Sequence, residues 1–135
     1  MRMKIKFGEE ERRFIDRVSE LSGQNVYKCY QCGRCSAGCP FAFEMDLLPN
    51  QVIRMVQMGA VEEVARSRTL TLCASCFTCH SRCPKGIDLA RLMEAIRLIL
   101  DPRGGDSFGP DDMPVELANE LPQQVLVAVY KKFSK

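Results

Sequence analysis

The chain has 135 residues, the span of one ordinary domain. With 46% hydrophobic and 27% charged residues it is composed as a globular protein, and no apolar run nears the roughly 20 residues needed to cross a bilayer. Nineteen Lys and Arg stand against 17 Asp and Glu, a formal charge of +2. Without Trp or a Lys/Arg block interleaved with aromatics, that balance makes no case for nucleic acid.

Residues 1–8 read as a short strand or an extended arm, without the apolar h-region and cleavage site of a secretory signal, so a cytoplasmic location is expected, with any membrane attachment through a partner. A first amphipathic helix is predicted over 9–22, with Phe14, Val18 and Leu21 on one face and Gly23 as its stop. A cysteine-bearing loop at 29–39 follows. Pro49 then opens a helix through Val56 that Gly59 ends, and Val61, Val64 and Ala65 mark a further short one. After a second cysteine loop at 73–83, Asp88 is an N-cap for a helix at 89–100, with Leu89, Leu92, Met93, Ile96 and Leu100 as its apolar face. The stretch 102–114 is rich in Pro, Gly and Asp and reads as a linker. Pro122 opens a last helix with Val125, Leu126, Val129 and Phe133 along one side. The fold class is therefore mostly α, divided into 1–101 and 102–135. The helix at 89–100 suits core more than interface, whereas the last stripe can dock on its own domain or on another subunit.

One internal repeat dominates. Cys29-x-x-Cys32-x-x-Cys35-x-x-x-Cys39-Pro40 recurs as Cys73-x-x-Cys76-x-x-Cys79-x-x-x-Cys83-Pro84, every member displaced by 44 residues, and the two copies use all eight cysteines. Iron in a cubane takes soft, anionic thiolates in tetrahedral geometry. Three cysteines at intervals of three can wrap one cube face, and in two-cluster ferredoxins the fourth, before proline, ligates the other cluster. The expected assignment is Cys29, Cys32, Cys35 and Cys83 for one [4Fe–4S] cluster, and Cys73, Cys76, Cys79 and Cys39 for the other. Crossing couples folding to metallation. Two clusters at roughly −2 each would also turn the formal +2 into about −2.

Other chemistries fit less well. Zinc favours isolated C-x-x-C pairs, and disulfides need an oxidising compartment. Cys76-Phe77-Thr78-Cys79-His80 matches a haem-attachment motif, but Ser36 stands where the first copy would need His. His80 is then a polar loop residue or a hydrogen-bond donor to cluster sulfur. Gly33 and Gly38 permit positive φ or simply punctuate turns, and Pro40 and Pro84 set the exit direction. Lys28, Arg34, Arg82 and Lys85 offset cluster charge or form a solvated face. Tyr30, Phe41, Phe43 and Phe77 pack into the core or shield clusters from water.

From Cys29 to Gly86 the sequence resembles the C subunit of heterodisulfide reductase. The resemblance is carried by Cys-Tyr-Gln-Cys-Gly-Arg-Cys-Ser-Ala-Gly-Cys-Pro at 29–40, Met45-Asp46, Pro49, Ile53 to Gln57 leading to Gly59, and Leu72 to Gly86 around the second cysteine run. Pro122-Gln123-Gln124 and the terminal Lys131-Lys132-Phe133 add to it. It implies the α-helical ferredoxin fold and a subunit passing electrons between a flavoprotein, the flavin-bearing A subunit, and a cysteine-rich B subunit that cleaves a disulfide. The substrate it implies is the mixed disulfide of coenzymes M and B of methane-producing archaea. Related bacterial assemblies act on other sulfur compounds, often with hydrogenase or formate dehydrogenase partners.

No catalytic residue is expected in this chain. All eight cysteines are committed, the single His lacks a base–nucleophile partner, and no Gly-rich dinucleotide fingerprint is present. Competing functions are an iron–sulfur subunit of succinate/fumarate reductase or glycolate oxidase type and a free ferredoxin carrier. The former usually has a plant-type [2Fe–2S] domain upstream or a cysteine-rich domain downstream, and the latter needs neither linker nor terminal helix.

Overall fold

A computed structural model of the chain describes residues 8–100 and 112–133, and for Val129 and 131–133 the backbone alone. All but Gly8 of the arm expected at 1–8, most of the 102–114 linker, and the side chains of Val129 and Phe133 thus lie outside the described residues. The chain divides into two compact units, 1–100 and 101–135. The described residues form helices and turns without a strand.

Helix α1 (Glu9–Ser22) starts where the Glu11 carboxylate takes the Gly8 N–H at 2.8 Å, and Glu9 to Glu11 complement the positive end of its dipole. It ends at Gly23, whose φ of 66° reverses the chain. Its buried face is Phe14, Ile15, Val18 and Ser22, while Leu21 is 43% exposed, so the expected stripe lies one position off. Hydropathy hid this because Ser22 satisfies its own hydroxyl on Val18 O at 2.6 Å and is buried as cheaply as an apolar residue.

A 3₁₀ turn (Val26–Lys28) leads into the first cysteine loop, which contains the short helix α2 (Arg34–Ala37). Helix α3 (Pro49–Gln57) begins with proline where its missing N–H is harmless, and Gln51 caps the Leu48 N–H at 2.8 Å. Helix α4 (Val61–Arg66) buries Val64 but leaves Ala65 exposed. Two further short helices, α5 (Thr69–Leu72) and α6 (Thr78–Arg82), flank Cys73 and Cys76, and Cys79 lies within α6. Helix α7 (Leu89–Leu100) is capped by Asp88, which accepts the Arg91 N–H at 3.1 Å.

Helix α7 is the spine, packing on α1, α5 and α6, while α2 contacts α6 and α3. Ile15, Val18, Val26, Val52, Ile53, Val56, Ile87, Leu92, Met93 and Ile96 form one core, with Cys35 buried in it and Cys29, Cys73, Cys79 and Cys83 against its edge. Five of the eight cysteines are therefore held by the hydrophobic core itself. Polar ties close the frame: Gln24 Oε1 accepts the Asp88 N–H at 2.9 Å, joining the end of α1 to the start of α7, and Arg97 donates to Leu70 O at 2.7 Å.

The second unit contains α8 (Val115–Glu120), which periodicity did not announce, and α9 (Gln123–Phe133) directly after Pro122. Within it the Tyr130 hydroxyl reaches Met113 Sδ at 3.7 Å, and Val115, Leu117, Val125 and Val127 are exposed.

Candidate functional site

The two cysteine loops repeat in backbone as well as in sequence. Cys29 and Cys73 each close a helical turn, donating N–H to Val26 O at 3.2 Å and Thr69 O at 3.0 Å. Left-handed residues then fall at matching positions, Gln31 (φ 63°) and Gly33 (φ 76°) in the first loop, Ser75 (φ 53°) and Phe77 (φ 60°) in the second. Each pair relates by the same 44-residue offset, and α2 and α6 start at Arg34 and Thr78 by that offset too. Alternating backbone hand turns successive N–H groups to one side, an arrangement that suits an anionic centre. Only one of these four positions is glycine, so three side chains are held at a cost of about 1–2 kcal/mol each.

Gly38 departs from expectation. Its φ is −104°, and what it provides is room, since a Cβ there would collide with the Arg82 side chain. That side chain lies across Gly38, where α2 and α6 touch.

One cavity gathers Cys73, Cys76 and Cys79 together with Cys39, the fourth cysteine of the other run. It lies between Phe41, Met45, Pro49, Phe77, Leu89 and Met93 and is partly open to solvent. Burial, reinforced by Cys73, pushes the Cys79 thiol up to about 12, and burial with Cys73 and Cys76 nearby raises Cys39 as well. Thr78 Oγ1 lies 3.4 Å from Cys76 Sγ.

The other four cysteines differ in exposure. Cys35 is buried, Cys29 and Cys83 are half-buried, and Cys32 is exposed. The neighbouring Cys32, and to a smaller extent Cys83, raise the Tyr30 phenol from its usual value. Burial, with Cys29 nearby, raises the Cys35 thiol. Gln31 Nε2 donates to Cys29 Sγ at 3.3 Å, and the Ile87 N–H donates to Cys83 Sγ at 3.4 Å.

Core packing fails as the account of the loop aromatics. Tyr30, Phe43 and Phe77 are 58%, 80% and 40% exposed, and only Phe41 and Phe77 line the cavity. Lys28, Arg34, Arg82 and Lys85 are all exposed, with Lys85 Nζ 5.7 Å from the Tyr30 ring centre. His80 is exposed on α6.

Two polar residues brace the loops from outside. Gln57 Nε2 donates to Val26 O at 2.8 Å and Cys29 O at 3.1 Å, fastening the first loop to α3. Asp46 accepts from Ser67 Oγ at 2.7 Å and from the N–H groups of Arg68 and Thr69 at 3.0 and 3.1 Å, bracing the turn that leads to Cys73. Desolvation opposes its charge, but these bonds outweigh it and hold the carboxyl well below the usual carboxylate range.

Comparison with known proteins fits this geometry. Residues 28–88 match a 4Fe–4S dicluster domain. The iron–sulfur C subunit of the CoB–CoM heterodisulfide reductase of Methanopyrus kandleri is 35% identical over 99 residues, which are 67% of this chain and 52% of that protein. The second such C subunit of Methanocaldococcus jannaschii is 30% identical over 108 residues, 74% and 58% of the two chains. The C subunit of the H2:CoB–CoM heterodisulfide,ferredoxin reductase of Methanothermobacter marburgensis is 27% identical over 93 residues, 69% and 50%.

The chain is thus homologous to heterodisulfide reductase C subunits and carries their dicluster type of domain at 28–88. It spans about half the length of the curated relatives it matches. The donor chemistry fits the cofactors of that family: eight cysteines free of disulfides, four of them around one largely apolar cavity. Among the described residues no three Cys, His, Asp or Glu side chains converge on one point as around a single ion; the four thiols line a volume instead. With its dicluster domain, the chain carries two [4Fe–4S] clusters on an α-helical ferredoxin-like fold. The cysteine spacing announced them. Gln31, Asn50 and Ser36, which bond to one another beside the first loop, escaped it, because their contacts span 14 and 19 residues of sequence.

Proposed function

We propose that this chain is the electron-relay subunit of a heterodisulfide-reductase-like complex, with one cluster on Cys29, Cys32, Cys35 and Cys83 and the other on Cys73, Cys76, Cys79 and Cys39. The observation that carries the reading is the single cavity shared by Cys39 and the three cysteines of the second run. The nearness of Tyr30 to both Cys32 and Cys83 supports the reciprocal crossing.

The clusters supply one-electron transfer at potentials set by their surroundings. The protein's own part is mechanical and electrostatic. The crossed thiols tie the two loops into one rigid unit, and the core beneath them keeps that unit from reorganising between redox states. Phe41, Phe77, Leu89 and Met93 restrict water around the second set of cysteines. Cys32, exposed at the opposite set, offers a short route for electrons to a docked protein. The role is non-catalytic: disulfide chemistry belongs to a cysteine-rich B-like subunit and electron supply to a flavoprotein A-like subunit, with hydrogenase or formate dehydrogenase as further partners.

The division of labour within the chain follows. Residues 1–101 are the cluster domain, and 102–135 dock a partner subunit, which the exposed Val115, Leu117, Val125 and Val127 support. A cytoplasmic location fits, and among the described residues no helix is long and apolar enough to cross a membrane. Anaerobic purification from the native host tests the reading. About eight iron and eight sulfide per chain, co-eluting with a flavoprotein and a cysteine-rich protein, is the expected result. Elution alone with both clusters intact would favour a free carrier.

A further inference from the structure

Beside the first cysteine loop lies a hydrogen-bond chain whose direction is fixed at its far end. It starts at the backbone N–H of Asn50, the second residue of α3 and one of the helix's unsatisfied terminal donors. An N–H can only donate, so Ser36 Oγ, 3.0 Å away, must accept it. The hydroxyl proton of Ser36 then goes to Asn50 Oδ1, since Cys35 Sγ at 4.0 Å is too far to compete. With Oδ1 occupied as acceptor, the Asn50 side chain presents Nδ2 to Gln31, whose Oε1 receives it at 3.3 Å. The Gln31 amide is thereby oriented with Nε2 outward, and that nitrogen donates to Cys29 Sγ at 3.3 Å. No link can be reversed without leaving two acceptors or two donors face to face.

The backbone is arranged to the same end. Gln31 sits at φ 63°, a left-handed position that costs a side chain about 1–2 kcal/mol and is kept only where surrounding contacts hold it. The second loop has the same backbone hand at Ser75 but not the chain of donors. By the 44-residue offset, Gln31 corresponds to Ser75, Ser36 to His80 and Asn50 to Glu94. Among the described residues Ser75 makes no hydrogen bond to a cysteine sulfur, and the second set of thiols meets one hydroxyl, Thr78 Oγ1 at 3.4 Å from Cys76 Sγ, and otherwise a largely apolar wall.

We propose that Ser36 and Asn50 position the Gln31 amide so that its N–H on the Cys29 sulfur raises the potential of the cluster held there above that of the Cys73–Cys79 cluster. The inference rests on the two-cluster reading. A donor to a thiolate stabilises the more negative, reduced state more than the oxidised one, so its presence raises the potential. The first cluster is then the one that holds the electron when a single electron is present.

The test is an EPR-monitored redox titration of the anaerobic full-length protein, with iron and sulfide assayed on every sample. Gln31→Leu is expected to lower one potential only, the one belonging to the signal that Cys32→Ser perturbs. At fixed potential its reduced-to-oxidised ratio falls by up to about tenfold, equivalent to 59 mV for a one-electron couple. Gln31→Glu, the same size but without the donor, is expected to move it the same way and guards against a packing defect. Asn50→Ala, which touches no sulfur, is expected to lower the same potential by a smaller factor, and the double variant no further than Gln31→Leu alone. Two intact clusters with unmoved potentials, an equal shift in both, or fully additive effects would each overturn the relay. Failure of the underlying reading looks different, because the unsubstituted protein would then lack the eight iron and eight sulfide before any variant is compared.

Discussion

The loops at 29–39 and 73–83 share a backbone and differ in what surrounds it. Both run from a closed helical turn through two left-handed residues into a short helix, at positions 44 residues apart. The first is wetter and more polar: Cys32 is exposed, Tyr30 stands beside it, and Gln31 reaches the Cys29 sulfur through a fixed chain of donors. The second is enclosed by Phe41, Phe77, Leu89 and Met93, with a Cys79 thiol pushed up to about 12 by burial. Repetition accounts for the number of cysteines and for the shared backbone that presents them. Divergence of the side chains around them gives the two loops different polarity, which the proposed relay would use.

Several substitutions break or sharpen this contrast. The largest stability effect is expected at Asp46, which braces the turn before Cys73 and has no counterpart at the first loop, where the neutral Gln57 serves instead. Asp46→Ala should destabilise the protein by about 2 kcal/mol, since bonds to a charged group are the stronger kind, and should release iron from the second loop first. Chemical denaturation with iron-release kinetics measures both. Because the folded carboxyl is held below its unfolded value of about 3.9, its stabilisation is present above that pH and is lost as pH falls further. The stability difference between the native chain and Asp46→Asn should therefore shrink in acid. A constant difference would remove the charge from the explanation.

A smaller effect is expected at Gly33. Its φ of 76° makes Gly33→Ala destabilising by about 1 kcal/mol, although the equivalent Phe77 accepts that strain and roofs the cavity in return. The smallest is at Gly38. Its φ is ordinary and the group in the way is the flexible end of Arg82, so Gly38→Ala should change stability by no more than about 0.5 kcal/mol. Thermal melts of the two variants rank the positions, and the reverse order would mean that Gly38 has a backbone role.

Much of this was legible in the chain. Periodicity located α1, α3, α4, α7 and α9, because each has an apolar stripe, a capping residue or a proline at its start. The two clusters were legible because iron–sulfur coordination demands the spacing that the eight cysteines show. What stayed hidden was tertiary or conformational. Leu21 seemed a core residue, yet Ser22 takes that place by bonding its hydroxyl to Val18 O. Tyr30, Phe43 and Phe77 seemed core aromatics, yet the loops carry them outward. Left-handed Gln31, Ser75 and Phe77 carry no glycine to announce them. The Ser36–Asn50–Gln31 chain joins three polar residues that local pattern cannot connect.

Exchange of the fourth cysteines tests the central claim most directly. Anaerobic Cys39→Ser and Cys83→Ser proteins, assayed for iron and sulfide and examined by EPR after reduction, should lose or alter opposite signals. Cys39→Ser is expected to damage the cluster of Cys73, Cys76 and Cys79, and Cys83→Ser that of Cys29, Cys32 and Cys35. If each substitution instead damages the cluster of its own run, the two loops are not cross-linked through their sulfurs and the proposed relay is wrongly wired.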